Sequence, residues 1–390
     1  MRMLITAVLL FAFGYVANAQ TKSQTSVVST LSNTSEEQLD EAVNALIKKH
    51  GQTPIIEGKK AIFLAKSVGG KAPLMLADFN GFMNPRYVKD KQLAAMHRIG
   101  NSAWFYLEKE FEPDAIVNYR LAFGKRIQTD PNNPNQRLNF GDTCSYLAMP
   151  AFQPDQYSEH KTVKSTGKVI KHNLKSEIMG QDRTIHVYLP HGYEQMEGGL
   201  PSIYFHDGSY YVNEAKIPEL LDQLIDEEKM APVIAVFDDP VVRGKEYQGD
   251  LDYRNYIQQE LIPHIDSQFN TVRGNESRAV VGGSRGGMSA LYLAHGTDAF
   301  GLCAAFSPAI HPVEVDHYID QLKLLGKRPK EVVLTGSTYD HVWYEDAVAL
   351  KSYFESSDIK SSYIEVHAGH NIPAWRSALD DILIRFFPSE

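Results

Sequence analysis

Gly282-Gly283-Ser284-Arg285-Gly286-Gly287 follows the apolar triplet Ala279-Val280-Val281 and leads into Met288-Ser289-Ala290-Leu291-Tyr292-Leu293-Ala294. An apolar run, a glycine-rich turn around one serine and then a stretch of good helix formers predict strand, tight turn and helix in succession. A serine held on such a turn crowds the backbone two positions before and two after it, so Gly282 and Gly286 are the residues that fit there. The turn also aims the Arg285 N–H and the start of the helix at one point, where a developing oxyanion would be held. By itself G-x-S-x-G also suits a glycine-rich structural turn. Between a strand and a helix it predicts an exposed nucleophile, Ser284.

Outward from this point, strand-like apolar runs alternate with longer helix-like stretches. The strand candidates are 184–189, 202–205, 233–237, 279–281, 302–306, 331–335 and 363–366, and the helix candidates are 217–228, 255–269, 285–295, 345–355 and 374–387. This alternation predicts an α/β fold with a mostly parallel sheet covered on both faces. No internal repeat interrupts it.

A serine hydroxyl needs a neighbouring base, which in this architecture comes later in the chain. His370, in His367-Ala368-Gly369-His370-Asn371, follows the last strand and precedes the final helix, which puts it on a loop at the carboxyl edge of the sheet. His367 competes, but its place at the strand end, two residues from Glu365, suits a packed or solvent-facing ring. The chain order also asks for a carboxylate between serine and histidine to fix the imidazole tautomer. Asp340 meets the requirement after strand 331–335, while Glu345 and Asp346 fall in a first helical turn, where acids are ordinary dipole partners. The second oxyanion donor is expected in His206-Asp207-Gly208-Ser209-Tyr210-Tyr211, with Gly208 turning the backbone so that the Ser209 N–H faces the site. A plain Asp-Gly turn is the alternative there. Tyr210 and Tyr211 offer rings for an aromatic acyl group.

The rest of the chain sets limits. Residues 1–19 carry one early charge, an apolar run from about 4 to 16 and Ala17-Asn18-Ala19, which reads as an export signal and predicts a mature start near Gln20, in the periplasm or outside the cell, without a membrane anchor. The polar stretch 20–34 suits a disordered lead-in. Ser35 with Gln38 forms a capping-box pattern, and Leu39, Ala42, Val43, Leu46 and Ile47 share one face of a helix that Gly51 ends. Short apolar runs at 61–65, 74–77, 103–107 and 117–123 predict a small β-sandwich. The domain plan is therefore a signal at 1–19, a helix plus sandwich at 20–150, a linker at 151–166 and the α/β domain at 167–390. Net charge is −9 with no dense Lys/Arg stripe, which argues against nucleic acid as a partner. Cys144 and Cys303 are too few for a metal cluster; a single disulfide or two free thiols are both open. H-E-x-x-H and G-x-x-x-x-G-K-[ST] do not occur, so metallohydrolase and nucleotide chemistry are disfavoured and no metal or cofactor is expected.

The C-terminal half resembles the esterase family that includes enterochelin esterases, feruloyl and acetylxylan esterases and S-formylglutathione hydrolase. The resemblance rests on Tyr204-Phe205-His206-Asp207-Gly208, Arg243-Gly244-Lys245-Glu246-Tyr247, Glu260-Leu261-Ile262-Pro263, the serine turn, and Ala368-Gly369-His370 through Trp375. The N-terminal half is similar to the E-set, immunoglobulin-like domain that precedes such esterases, through Ala77-Asp78-Phe79-Asn80-Gly81-Phe82, Trp104, Asn118-Tyr119-Arg120, 130–134 and 145–150. The resemblance implies an α/β-hydrolase fold and a carboxylic-ester hydrolase working through an acyl-enzyme, on a siderophore ester or a hydroxycinnamoyl or acetyl ester on polysaccharide. It places Gly208, Tyr210, Arg243 and Trp375 near the substrate. Two departures stand out. Arg285 replaces the usual apolar residue, pointing to an acidic substrate or a structural ion pair, and Phe82 stands where related domains often have Trp. Arg243 has two readings, a contact to an anionic acyl group or a salt bridge with Glu246. A glycan-binding protein with an inactive hydrolase fold is the competing class.

Overall fold

The computed structural model describes residues 26–67, 70–157 and 163–389; the expected export signal lies outside them. Within the expected lead-in, Val27–Ser32 is instead a helical turn, with the Ser26 hydroxyl accepting from the Ser29 N–H. Val27 and Leu31 are buried, and this packing orders a segment whose composition alone read as disorder. The next helix, Glu36–His50, ends at Gly51 with φ of 78°. Its capping box does not form: the Ser35 hydroxyl donates to the Gln38 side chain and accepts no backbone N–H, and the Gln38 N–H goes to the Ser35 carbonyl instead.

Strands β1 (Ile55–Glu57), β2 (Lys60–Lys66), β3 (Leu74–Ala77), β4 (His97–Arg98), β5 (Trp104–Glu110), β6 (Ile116–Phe123), β7 (Arg126–Gln128), β8 (Gln136–Asn139) and β9 (Asp142–Ala148) form two antiparallel sheets. One runs β1-β2-β5-β4 and the other β3-β6-β9-β8, with β7 on β6. Ala61, Phe63 and Ala65 of β2 meet Val117, Tyr119 and Leu121 of β6 in one core, while Ile62 and Leu64 on the opposite face of β2 pack under the two N-terminal helices. The period of two in a strand thus feeds two separate cores.

From residue 168 on, an eight-stranded sheet forms from β10 (Lys168–Ser176), β11 (Gln181–Leu189), β12 (Ser202–His206), β13 (Ile234–Asp238), β14 (Arg278–Gly283), β15 (Leu302–Phe306), β16 (Glu331–Ser337) and β17 (Lys360–Val366). Its order is β10-β11-β13-β12-β14-β15-β16-β17, antiparallel at the first two junctions and parallel thereafter. This is an α/β-hydrolase-type fold. Helices 251–268, 285–296, 315–325 and 344–355 cover one face, and 217–226 with 372–386 the other. Within 251–268, Ile257–Leu261 widens to a π turn, and Glu260 there accepts from the Glu177 and Ile178 N–H groups of the β10–β11 hairpin. Both cysteines are free and buried, Cys303 in a central strand and Cys144 in β9.

The two halves join closely. Ile116, first in β6, donates its N–H to the His367 carbonyl at 2.9 Å and bridges Ala368. Within the expected linker, Tyr157 is buried and Arg376 binds both Asp155 and the Tyr157 carbonyl, so this stretch is fastened to the sheet that follows.

Candidate active site

Ser284, Asp340 and His370 sit at the carboxyl edge of the parallel strands. Ser284 follows β14 with φ of 59° and ψ of −128°, a strained backbone for a residue with a Cβ. Hydrogen bonds on both sides hold it there: its N–H donates to the Phe306 carbonyl at 2.8 Å, and its carbonyl accepts from Gly287, Met288 and Ala309. A Cβ on Gly282 would lie 2.3 Å from the Gly286 backbone, which is why glycine is required at that point.

His370 lies beyond β17, and its Nδ1 stands 2.6 Å from Asp340 Oδ2. Asp340 follows β16, its side chain is only 2% exposed, and its second oxygen accepts from the Val342 and Trp343 N–H groups. Ser284, Asp340 and His370 all line one cavity of about 550 Å³. The competitors are occupied elsewhere. His367 Nδ1 is 2.6 Å from Asp114 Oδ1 in the N-terminal half, and half-buried Asp346, raised to about 6 chiefly by burial, accepts from the Ile310 N–H.

Several expected contacts fall elsewhere. The Ser209 N–H donates to Asp239 Oδ1 at 3.0 Å and its hydroxyl to Oδ2, so this amide is spent and not aimed at an oxyanion. Gly208 opens a short helix and is pressed on Phe237, where a Cβ would lie 2.6 Å from backbone. Within the turn, the Asp207 N–H goes to the Tyr247 hydroxyl and the Tyr210 N–H to the Asp207 carbonyl. Arg243 lines the cavity, but its ion pair is bidentate with buried Asp207, both contacts at 2.7 Å, and not with Glu246. Glu246 instead accepts from Arg183 and from the Val241 and Val242 N–H groups. Tyr210 and Trp375 do not line the serine cavity; they border a small crevice with Phe140. Trp375, 4% exposed, stands edge-on to His370 with centroids 5.2 Å apart and covers Gly283, so it backs the imidazole from below.

Sequence reasoning missed the opposite wall, which the N-terminal half supplies. Asp78, Phe82, Arg86, Tyr87, Arg120 and Phe140 all line the serine cavity. Phe140 occupies a hairpin turn at φ of 52°; its N–H and that of Gly141 both donate to the Glu214 carboxylate, and its ring lies 5.6 Å from Trp375. Asp78 accepts from the Asn118 N–H at 2.6 Å and from the Asn371 side chain at 3.0 Å, next to His370. Burial pushes its carboxyl up to about 7, against these hydrogen bonds and the pull of Arg137. Asp78, Phe82 and Arg120 lie in stretches that carry the E-set resemblance, but nothing local ties them to the serine, since they reach the site only through contacts between the two halves. Among the described residues, no three of His, Cys, Asp and Glu group as metal ligands, and no helix is long and apolar enough to cross a membrane.

Residues 176–349 match the family model described as "Putative esterase". The endo-1,4-beta-xylanase/feruloyl esterase of Xylanibacter ruminicola is 29% identical over 189 residues, 44% of this chain and 25% of that protein. The uncharacterized protein YbbA of Bacillus subtilis is 27% identical over 134 residues, 30% of this chain and 52% of that protein. The chain thus spans a quarter to about half the length of these relatives. Among solved structures, the ferric enterobactin esterase of Salmonella typhimurium superposes with a TM-score of 0.69 at 18% identity, covering 88% of this chain and 98% of that one. A ferulic acid esterase of Anaeromyces mucronatus, in complex with ferulic acid, gives 0.51 at 18% identity over 60% and 95%. At these identities the structural likenesses show the fold. The family match and the curated relatives show that residues 176–349 are similar to esterases.

Proposed function

We propose that the chain is an exported serine esterase that hydrolyses its substrate through an acyl-enzyme on Ser284. The observation that carries the reading is the strained serine turn sharing one cavity with an imidazole whose Nδ1 is committed to a buried carboxylate. With Nδ1 held by Asp340, the other ring nitrogen is left to take the Ser284 proton and later return it to the leaving alcohol. The Arg285 N–H, first in its helix and without an intrahelical partner, is one oxyanion donor. The Gly208 N–H takes the role first given to Ser209, since the other amides of that turn are engaged. Water then releases the acid. Export rests on the reading of residues 1–19, and the two-domain plan, with an E-set-type sandwich ahead of the esterase, on the separate cores. For substrate we keep two readings, a hydroxycinnamoyl or acetyl ester on polysaccharide and an enterochelin-like siderophore ester; the names of the relatives support one each.

Turnover of 4-nitrophenyl acetate tests the mechanism. Ser284→Ala is expected to lower kcat by about 10⁴- to 10⁶-fold while the circular dichroism spectrum is kept. Undiminished turnover in that variant would remove Ser284 from the chemistry.

A further inference from the structure

We infer that the substrate carries an anionic group, held between the guanidinium groups of Arg285, beside the serine turn, and Arg86, on the wall that the N-terminal half supplies. This rests on the reading of Ser284 as nucleophile. Four arginines line that cavity. Two are neutralised within the protein, Arg243 by Asp207 at 2.7 Å and Arg120 by Asp142 at 3.1 Å. The guanidinium groups of Arg285 and Arg86 make no ion pair or hydrogen bond with any described residue; Arg86 bonds only through its N–H, to the Asn84 side chain. Of the two roles open to Arg285 from the sequence, the structural ion pair is therefore absent among the described residues.

The two free cations converge. Both act electrostatically on His311, whose imidazole is lowered by burial first and then by Arg285 and Arg86. His311 is edge-on to Tyr87 at 5.3 Å and packs against Trp343 at 6.2 Å, and both of those rings line the cavity. Gly244 lies alongside, where a Cβ would come 3.5 Å from Arg285 Nη1. A chain of net charge −9 thus keeps two unpaired guanidinium groups together beside the reacting serine. Guanidinium groups bind carboxylate, phosphate, sulfate and catecholate oxygens through paired N–H donors, and a partly enclosed cavity strengthens such bonds. A wholly neutral ester would leave this charge unused.

Two pairs of esters test the inference with the full-length protein. Mono-4-nitrophenyl adipate and its methyl ester differ by one charge on the acyl side, and 4-acetoxybenzoate and its methyl ester by one charge on the alcohol side. In at least one pair, kcat/KM for the charged member is expected to exceed the neutral one by about tenfold or more, and that pair identifies the side of the ester bond that bears the anion. The ratio should shrink when salt rises from 0.05 to 0.5 M (about a threefold drop in Debye length). Arg86→Gln and Arg285→Gln should each draw the ratio toward one, and Arg285→Lys should keep part of it; comparing two esters within each variant cancels any change in acyl transfer itself. A ratio near one in both pairs for the wild type, or one that neither glutamine variant changes, overturns the inference. If Ser284→Ala is inactive while the ratio is one, only this inference fails. If Ser284→Ala is active, the parent reading fails.

Discussion

The serine turn at 282–287 and the hairpin turn at 139–142 border one cavity from the two halves of the chain, and they are held in opposite ways. The hydrogen bonds that hold the first come from within about 25 residues, from the Phe306 carbonyl and the Ala309 N–H, together with its own glycines at 282 and 286. The second owes its position to Glu214, 74 residues away, which grips the Phe140 and Gly141 amides. One wall is written into a local strand-turn-helix unit, and the other exists only once the two halves have docked. Chemistry and substrate fit are thus separable, and substitutions on each wall should leave different kinetic signatures.

The largest effect is expected on the chemical wall. Asp340→Asn keeps the shape of the site but removes the charge that supports His370, so kcat should fall by about 10²- to 10⁴-fold with little change in stability. Wild-type turnover in that variant would move the acid role elsewhere.

Asp78 tests the docked side. Its carboxyl is raised in the folded chain, from 3.8 to about 7, so the folded state binds its proton more tightly than the unfolded state does. Its contribution to stability is therefore favourable at low pH and is lost as pH rises through about 7. Asp78→Asn, neutral throughout, should be more stable than wild type at pH 8 by about 1–4 kcal/mol, an advantage that shrinks as pH is lowered toward 4. Urea unfolding at several pH values reads it, and a constant difference would show that Asp78 is ionised in the fold.

The smallest effect sharpens the contrast most. Glu214→Gln weakens the grip on the Phe140 turn without touching the triad, and KM should rise by about two- to tenfold while kcat for a small acetate ester holds. An equal loss in both would tie the turn to the chemistry.

How much the sequence disclosed follows the same division. The central strands were legible because burial on both faces makes each a continuous apolar run, as in Ser202–His206 and Leu302–Phe306. Ser284 and Asp340 stood out as candidates because each follows such a strand, and His370 because it lies between the half-buried last strand and the final helix. Edge strand β10 was missed: Lys168, Lys171 and Lys175 make it read as polar loop. The helix Val315–Leu325 was missed as well, although Tyr318, Ile319 and Leu322 bury one face of it. Ser209 and Arg243 were assigned to the wrong partners because Asp239 and Asp207, which capture them, are set by the fold and not by spacing. Asp78 was noticed only as part of the E-set resemblance and Phe140 not at all, since nothing near them in the chain ties them to a catalytic site.

The Ile116 N–H on the His367 carbonyl has a consequence of its own. The first half of the chain contributes a rung to the loop that carries the base, three positions from the imidazole. Esterase turnover therefore doubles as a readout of assembly: a chain whose halves come apart would keep its nucleophile yet fall silent, which confines hydrolysis to molecules that are whole.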